Sequence, residues 1–165
     1  MTTQRILALD LGTRCGYALS LDRTVKPLLA GEFDLSAKKD EGEGWRFIKF
    51  RRALQDAKPD IIFYEEVKRH MGVIAAHVWG GLWAEMTAYC AQNKIPYKGF
   101  GVAAIKMRAT RGANGEKGKG NAKKDAMIAA AKQHFGYEGN SDNVADALWI
   151  LQLGLESLPD DEEAF

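Results

Sequence analysis

Four acidic positions stand where a chain building its core should avoid charge. Asp10 closes the apolar run Ile6-Leu7-Ala8-Leu9, and Glu65, followed by Glu66, closes Ile61-Ile62-Phe63-Tyr64. Asp142 and Asp146 lie at the front of a segment that continues Ala147-Leu148-Trp149-Ile150-Leu151. A charged carboxylate left unpaired in an apolar setting is too costly to keep. Several that converge can instead share one or two divalent cations through oxygen donors, an arrangement suited to hydrolysing a phosphodiester. Metal-dependent cleavage of nucleic acid is the first chemistry this pattern implies.

Side-chain periodicity says which acids can meet. In a strand, alternate residues share a face, so Asp10 goes with Ile6 and Ala8, and Glu65 with Ile61 and Phe63. Glu66 points the other way and is the fallback if the strand is shifted. Asp142 and Asp146, four apart, share a helix face that runs on through Trp149, Ile150 and Leu153. Asp146 therefore aims at packing rather than water. Two positions keep a second reading: Asp10 as the organiser of the turn Leu11-Gly12-Thr13, and Asp142, beside Asn140 and Ser141, as part of a helix cap.

These side chains need elements to hold them. Residues 4–11, 15–20 and 27–33 read as strands joined by short turns, an antiparallel meander. Residues 43–57 show helical periodicity, with Trp45, Ile48 and Leu54 apolar among Arg46, Lys49, Arg51 and Arg52, and Pro59 stops the helix. Residues 60–65 form a buried strand, 73–92 a long apolar helix, and 97–100 a short fifth strand. Helices follow over 122–134 and 142–155. This order implies an α/β fold with a mixed sheet and helices packed on it. Trp79 and Trp83, four apart on the long helix, suit a core or a dimer interface; nothing fixes His70 or His77 near the acids.

At 165 residues and 46% hydrophobic content the chain has the size and composition of one domain. We expect a nuclease domain over 1–158 and an acidic, disordered tail over 159–165. No apolar run approaches the roughly 20 residues of a membrane span, the start lacks a signal-peptide pattern, and two cysteines make no disulfide framework. A cytoplasmic setting follows as an expectation. The net charge of +1 hides an asymmetry: without the five acids among the last ten residues, 23 Lys and Arg face 17 Asp and Glu. Seven of those cations, Lys106, Arg108, Arg111, Lys117, Lys119, Lys123 and Lys124, crowd one stretch with Gly112, Gly115, Gly118 and Gly120. Such a segment reads as a flexible loop that binds a phosphate backbone, or else as a solubilising one. Lys124 shares a helix face with Ala131 and is the better placed to reach inward; Lys123 reads as solvated. The acidic tail is a solvated end, or a competitor with DNA for the basic loop.

The run Ile6-Leu-Ala-Leu-Asp10-Leu-Gly12-Thr-Arg-Cys-Gly16-Tyr-Ala resembles the first motif of RuvC-type Holliday junction resolvases. Phe63-Tyr-Glu65-Glu-Val67 resembles the second motif and Asp142-Asn-Val-Ala-Asp146-Ala-Leu the last. Ile105-Lys106 and Gly120-Asn-Ala-Lys-Lys124-Asp-Ala-Met are similar to the family's basic motifs, above all in its phage-encoded branch. The ordered set spans residues 6 to about 151. The resemblance implies a ribonuclease H-like fold, a five-stranded mixed sheet flanked by helices, acting as a homodimer in DNA recombination and repair. It implies paired incision of four-way junctions with two Mg²⁺ ions per active site, Mn²⁺ being able to substitute. Asp10, Glu65 and Asp146 would be metal ligands, with Asp142 or Asn143 completing the set. Lys106 and Lys124 would contact phosphate near the scissile bond.

Two departures accompany the likeness. The bacterial pattern spaces its last two ligands three apart, which here falls on Asn143, with the acid at Asp142. Its aromatic wedge, three residues beyond the second-motif Glu, is here Lys68, followed by Arg69 and His70. Other readings stay open. Asp10-Leu-Gly-Thr also resembles the phosphate loop of actin-like ATPases and sugar kinases, which need two such domains. A YqgF-like RNA-processing nuclease is a single-domain alternative. A third is a junction-binding relative with weak catalysis, should Asn143 take the ligand position while Asp142 faces solvent.

Overall fold

The computed structural model describes residues 3–70, 72–110 and 121–159. Within them the chain runs β1 (Arg5–Asp10), β2 (Arg14–Leu21), β3 (Leu29–Asp34), α1 (Trp45–Ala57), β4 (Ile61–Glu66), α2 (Val73–Asn93), β5 (Tyr97–Gly101), α3 (Val102–Thr110), α4 (Asn121–Phe135) and α5 (Asp142–Glu156). The strands form one sheet in the order β3-β2-β1-β4-β5. The meander β1-β2-β3 is antiparallel, whereas β4 and β5 join β1 in parallel. The short turns after β1 and β2 permit only hairpins. The helix α1 intervening before β4 permits the parallel crossover. The mixed sheet with flanking helices is therefore the one the element order predicts.

Alternation along the strands divides the core into two layers. Ile6, Ala8, Ile61 and Phe63 face α3, α4 and α5. Leu7, Leu9, Ile62 and Tyr64 face α1 and α2. Helix α5 is the central packing element: Val144, Ala145, Ala147, Leu148, Trp149, Ile150, Leu151, Gln152 and Gly154 are all buried. Its small residues let the backbone lie close to the sheet, and a Cβ on Gly154 would overlap the ring of Phe63.

Two expectations need correction. Lys106 and Arg108 do not lie in a loop; they sit on α3, a nine-residue helix that buries Ile105 and Ala109. That apolar stripe is one pair of residues long, too short to stand out beside a glycine-rich run. On α1 the inward residues are Phe50 and Leu54, backed by Phe47, while Trp45 is 38% and Ile48 44% exposed. The helix turns its aromatic Phe stripe to the sheet and leaves Arg52 lying over the Trp45 ring, 5.6 Å from its centroid. Residues 160–165 of the acidic tail and residues 111–120 of the basic segment lie outside the described residues.

Because the contact of α5 with Phe63 leaves no room for a methyl, Gly154→Ala should destabilise the protein by about 1–3 kcal/mol. Equilibrium urea unfolding checks this; a change within error would mean that α5 can lift off β4 without cost.

Candidate active site

Strand register brings the acids together. Asp10 is the last residue of β1, and the parallel pairing of Leu9 with Tyr64 places Glu65 beside it at the same end of the sheet. On the other flank Asp10 pairs with Gly16, and Gly16 pairs in turn with Glu32 of β3. A single row thus crosses the sheet as Glu32, Gly16, Asp10, Glu65. The first turn of α5 passes over this row. A Cβ on Gly16 would overlap the backbone carbonyl of Asn143, so only glycine lets the helix come down there.

The result is a half-buried cleft of carboxyls. Asp10 and Glu65 share a hydrogen bond, which requires a proton between them. Burial raises the pKa of Asp10 well above the usual range, and the charges of Glu65, Asp146 and Asp142 add to the effect. Burial also raises Glu65, less strongly because the Asp10 hydrogen bond and the Lys106 charge favour its ionised form. Asp146 is pushed up to about 7 by burial, then by Glu65 and Asp142, against the pull of Lys106 and Lys124. Asp142, at the outer rim, pairs with Lys124 across 2.6 Å. Groups so perturbed and mutually coupled mark a functional cleft more often than a structural one.

The alternatives posed by the sequence resolve geometrically. Glu65, not Glu66, meets Asp10; the Glu66 Cβ lies by Gly99 of the neighbouring strand. Asp142 faces the cluster, whereas Asn143 turns its side chain away and donates from Nδ2 to Glu32 Oε1 at 3.3 Å. Lys106 and Lys124 stand close enough to Glu65 and Asp146 to act on their ionisation. Lys123 is exposed. Arg108 is not brought to the cluster: it forms a two-pronged pair with Glu156 at 2.7–3.1 Å and lies over Trp149, at the opposite end of α5. Arg111, Lys117 and Lys119 lie outside the described residues. His70 packs on Trp79, 5.3 Å between ring centres. Glu32 is the site-bordering residue that sequence reasoning missed, because its place depends on the pairing of β3 with β2.

The donor chemistry fits a hard divalent cation. Asp10, Glu65, Asp142 and Asp146 supply only carboxylate oxygens, the ligand type of Mg²⁺ and Mn²⁺ rather than Zn²⁺. Cys15 is no rival ligand, since burial pushes its thiol far up and keeps it protonated. As the side chains stand, no three His, Cys, Asp or Glu among the described residues form a ready-made ion cage. The shared Asp10–Glu65 proton and the Lys124–Asp142 pair balance the charge instead.

No family model matches the chain, and no curated protein matches it by sequence. Solved structures do match. Thermus thermophilus RuvC in complex with a Holliday junction substrate aligns at a TM-score of 0.69, with 16% identity, over 93% of this chain and 94% of that one. Thermus thermophilus RuvC in a second structure aligns at 0.65, with 15% identity, over 92% and 94%. The yeast mitochondrial Holliday junction resolvase aligns at 0.59, with 15% identity, over 93% and 80%. The chain therefore has the RuvC-type, ribonuclease H-like fold.

The raised carboxyls dictate how stability responds to pH. An acid whose folded pKa exceeds its unfolded value stabilises the fold fully below the unfolded pKa, and that stability is lost as pH rises through the folded one. For Asp146 the window runs from 3.8 to about 7. In EDTA, Tm should fall across this window. Asp146→Asn should match the parent below it and exceed the parent by a few degrees above it. Added Mg²⁺ should then raise Tm of the parent only. Superimposable pH profiles of the two proteins would show that Asp146 is not perturbed.

Proposed function

We propose that this chain is a structure-selective DNA endonuclease that resolves four-way junctions by paired phosphodiester hydrolysis. The observation that carries the proposal is the convergence of Asp10, Glu65, Asp142 and Asp146 at one end of the sheet, rimmed by Lys106 and Lys124. The fold supports it, since the structures that align over nearly the whole chain are those of RuvC and a mitochondrial Holliday junction resolvase. In this reading the four carboxylates hold two divalent cations per site, Mg²⁺ by preference with Mn²⁺ as a substitute. When bound, the ions supply Lewis acidity, easing deprotonation of the attacking water and offsetting charge on the phosphate.

The chain's own residues have separable parts in this scheme. Asp10 and Glu65, at the buried floor, would hold a cation once the proton between them has passed to solvent. Asp146, ionised above about pH 7 when no cation is present, completes the inner wall, and Asp142 the rim. The ammonium groups of Lys106 and Lys124 face the same cleft from α3 and α4. There they are suited to bind the scissile phosphate and to balance its added negative charge as the new bond forms. Lys123, exposed on α4, is suited to bind the backbone of the DNA beyond the cleft, and Arg108 can join it only by leaving Glu156; Arg111, Lys117 and Lys119 enter this scheme by their charge alone. A junction-binding protein without catalysis is less well supported, since it required Asn143 in the ligand position and Asp142 in solvent.

Paired incision calls for two sites, and we assign the second to another copy of the chain. Helix α2 and its surroundings leave an apolar surface uncovered: Val73 is 70%, Ile74 81%, Trp83 39% and Tyr97 45% exposed. We place the interface between copies on these side chains, since extended exposed apolar surface marks interaction sites.

Asp10→Asn should lower Mg²⁺-dependent cleavage of a synthetic four-way junction by more than about 100-fold, beyond what loss of an outer partner costs. Junction affinity should stay near that of the parent, and linear duplex should remain uncut. Cleavage surviving in the variant would remove the carboxylates from the chemistry. Neutralising Lys117 and Lys119 together should reduce the slope of log affinity against log salt by about 2 if each meets a phosphate; an unchanged slope would make them solubilising residues. Ile74→Glu, a charge tolerated in the first turn of a helix, should shift sedimentation from dimer towards monomer, and an unaffected dimer would place the interface elsewhere.

A further inference from the structure

The row that crosses the sheet contains an acid with no part in the scheme above. Glu32 lies on the edge strand β3, two places from Asp10, with Gly16 between them. Its carboxylate does not enter the cluster. Glu32 Oε1 instead accepts from Ser141 Oγ and, at 3.3 Å, from Asn143 Nδ2. Ser141 is the N-cap of α5, and its Oγ also accepts the Val144 backbone N–H at 3.2 Å. From the opposite side Tyr137 OH accepts the Ser141 backbone N–H at 3.0 Å. The two residues that Glu32 grips therefore flank Asp142 on either side, one turn before Asp146.

We infer that Glu32 is a positioning residue for the carboxylate cluster: it draws the first turn of α5 down onto Gly16 and so sets Asp142 and Asp146 over Asp10. The inference rests on the proposed metal-binding role of those carboxylates. Several features argue that the contact does more than cap a helix. Ser141 already provides the cap without help from β3. Glu32 adds a tie between an edge strand and the residues on both sides of one acid. Asn143 is spent on that tie and not on the cleft, so Asp142 rather than Asn143 faces inward. Gly16 removes a side chain that would hold the first turn of α5 off β2.

The probe is Mn²⁺ alone, titrated into the full chain and read by electron paramagnetic resonance, which needs no substrate and no turnover. Glu32→Ala should weaken Mn²⁺ binding about ten-fold. Glu32→Gln keeps an acceptor oxygen for Ser141 and Asn143 and should return affinity to within about two-fold of the parent; affinity as low as in the alanine variant would overturn positioning through these two hydrogen bonds. Tm of the alanine variant should fall by no more than about 4 °C, since Glu32 is exposed and its loss opens no cavity. A purely structural role would lower Tm without this pattern of loss and rescue. Asp146→Asn serves as the site control. Weakened binding in Asp146→Asn with unchanged binding in Glu32→Ala overturns the positioning role and leaves the metal site standing. Unchanged Mn²⁺ binding in both variants overturns the metal site and the positioning role together.

Discussion

Repulsion among carboxyls at the open end of β1 and β4 is the interaction on which the rest of the arrangement depends. Two unit charges about 4 Å apart in a partly buried setting repel by about 4 kcal/mol, more than a hydrogen bond returns. The protein cannot relieve this by letting the side chains drift apart. Parallel pairing fixes Asp10 beside Glu65. Helix α5, buried over most of its circumference, has no freedom to rotate Asp146 into water. The charge is met by a proton between Asp10 and Glu65, by Asp146 held partly protonated near neutrality, and by Lys124 on Asp142. All four carboxyls offer only oxygen donors, the ligand type that suits a hard divalent cation.

Holding such a cluster demands a rigid support, and the packing of α5 supplies it. At one end Gly154 lets the helix rest on Phe63. At the other, Gly16 lets its first turn touch the backbone of β2, and Glu32 and Tyr137 grip Ser141 from two sides. Small residues and polar ties at the ends, with aliphatic packing between, fix both the height and the rotation of the helix. The same helix carries Glu156 at its far end, where Arg108 is held over Trp149. That pair anchors α3, and α3 in turn presents Lys106 to the cleft. The acids and the basic rim are thus referenced to one element.

The two sheet faces divide the work. The side of Ile6, Ala8 and Phe63 carries the acid cluster, with α3, α4 and α5 above it. The side of Leu7, Leu9 and Tyr64 carries α1 and α2, and with them the exposed apolar surface. On α2 the stacked Trp79 and Trp83, the latter donating from Nε1 to Tyr64 OH at 3.2 Å, form a firm ledge beside that surface.

Much of this was legible in the residues alone, wherever the information is local. Period-two alternation put Asp10 with Ile6 and Ala8 and chose Glu65 over Glu66; spacing by four aimed Asp146 inward. Those inferences need only the geometry of one element. The order of strands and helices was likewise enough for a mixed sheet, because short turns and an intervening helix leave few other pairings. What the sequence left open is set between elements. The direction of Asn143, the engagement of Arg108 by Glu156, and the place of Glu32 each depend on register or on helix height. The exposure of Trp45 and Ile48 was hidden because α1 carries two apolar stripes, and only the sheet selects one. Short α3 was hidden because one buried pair of residues makes no visible period. Sequence by itself determined which acids could share a face; the tertiary structure decided which of them meet, because distance between elements is set by small residues and cross-strand partners that no local pattern records.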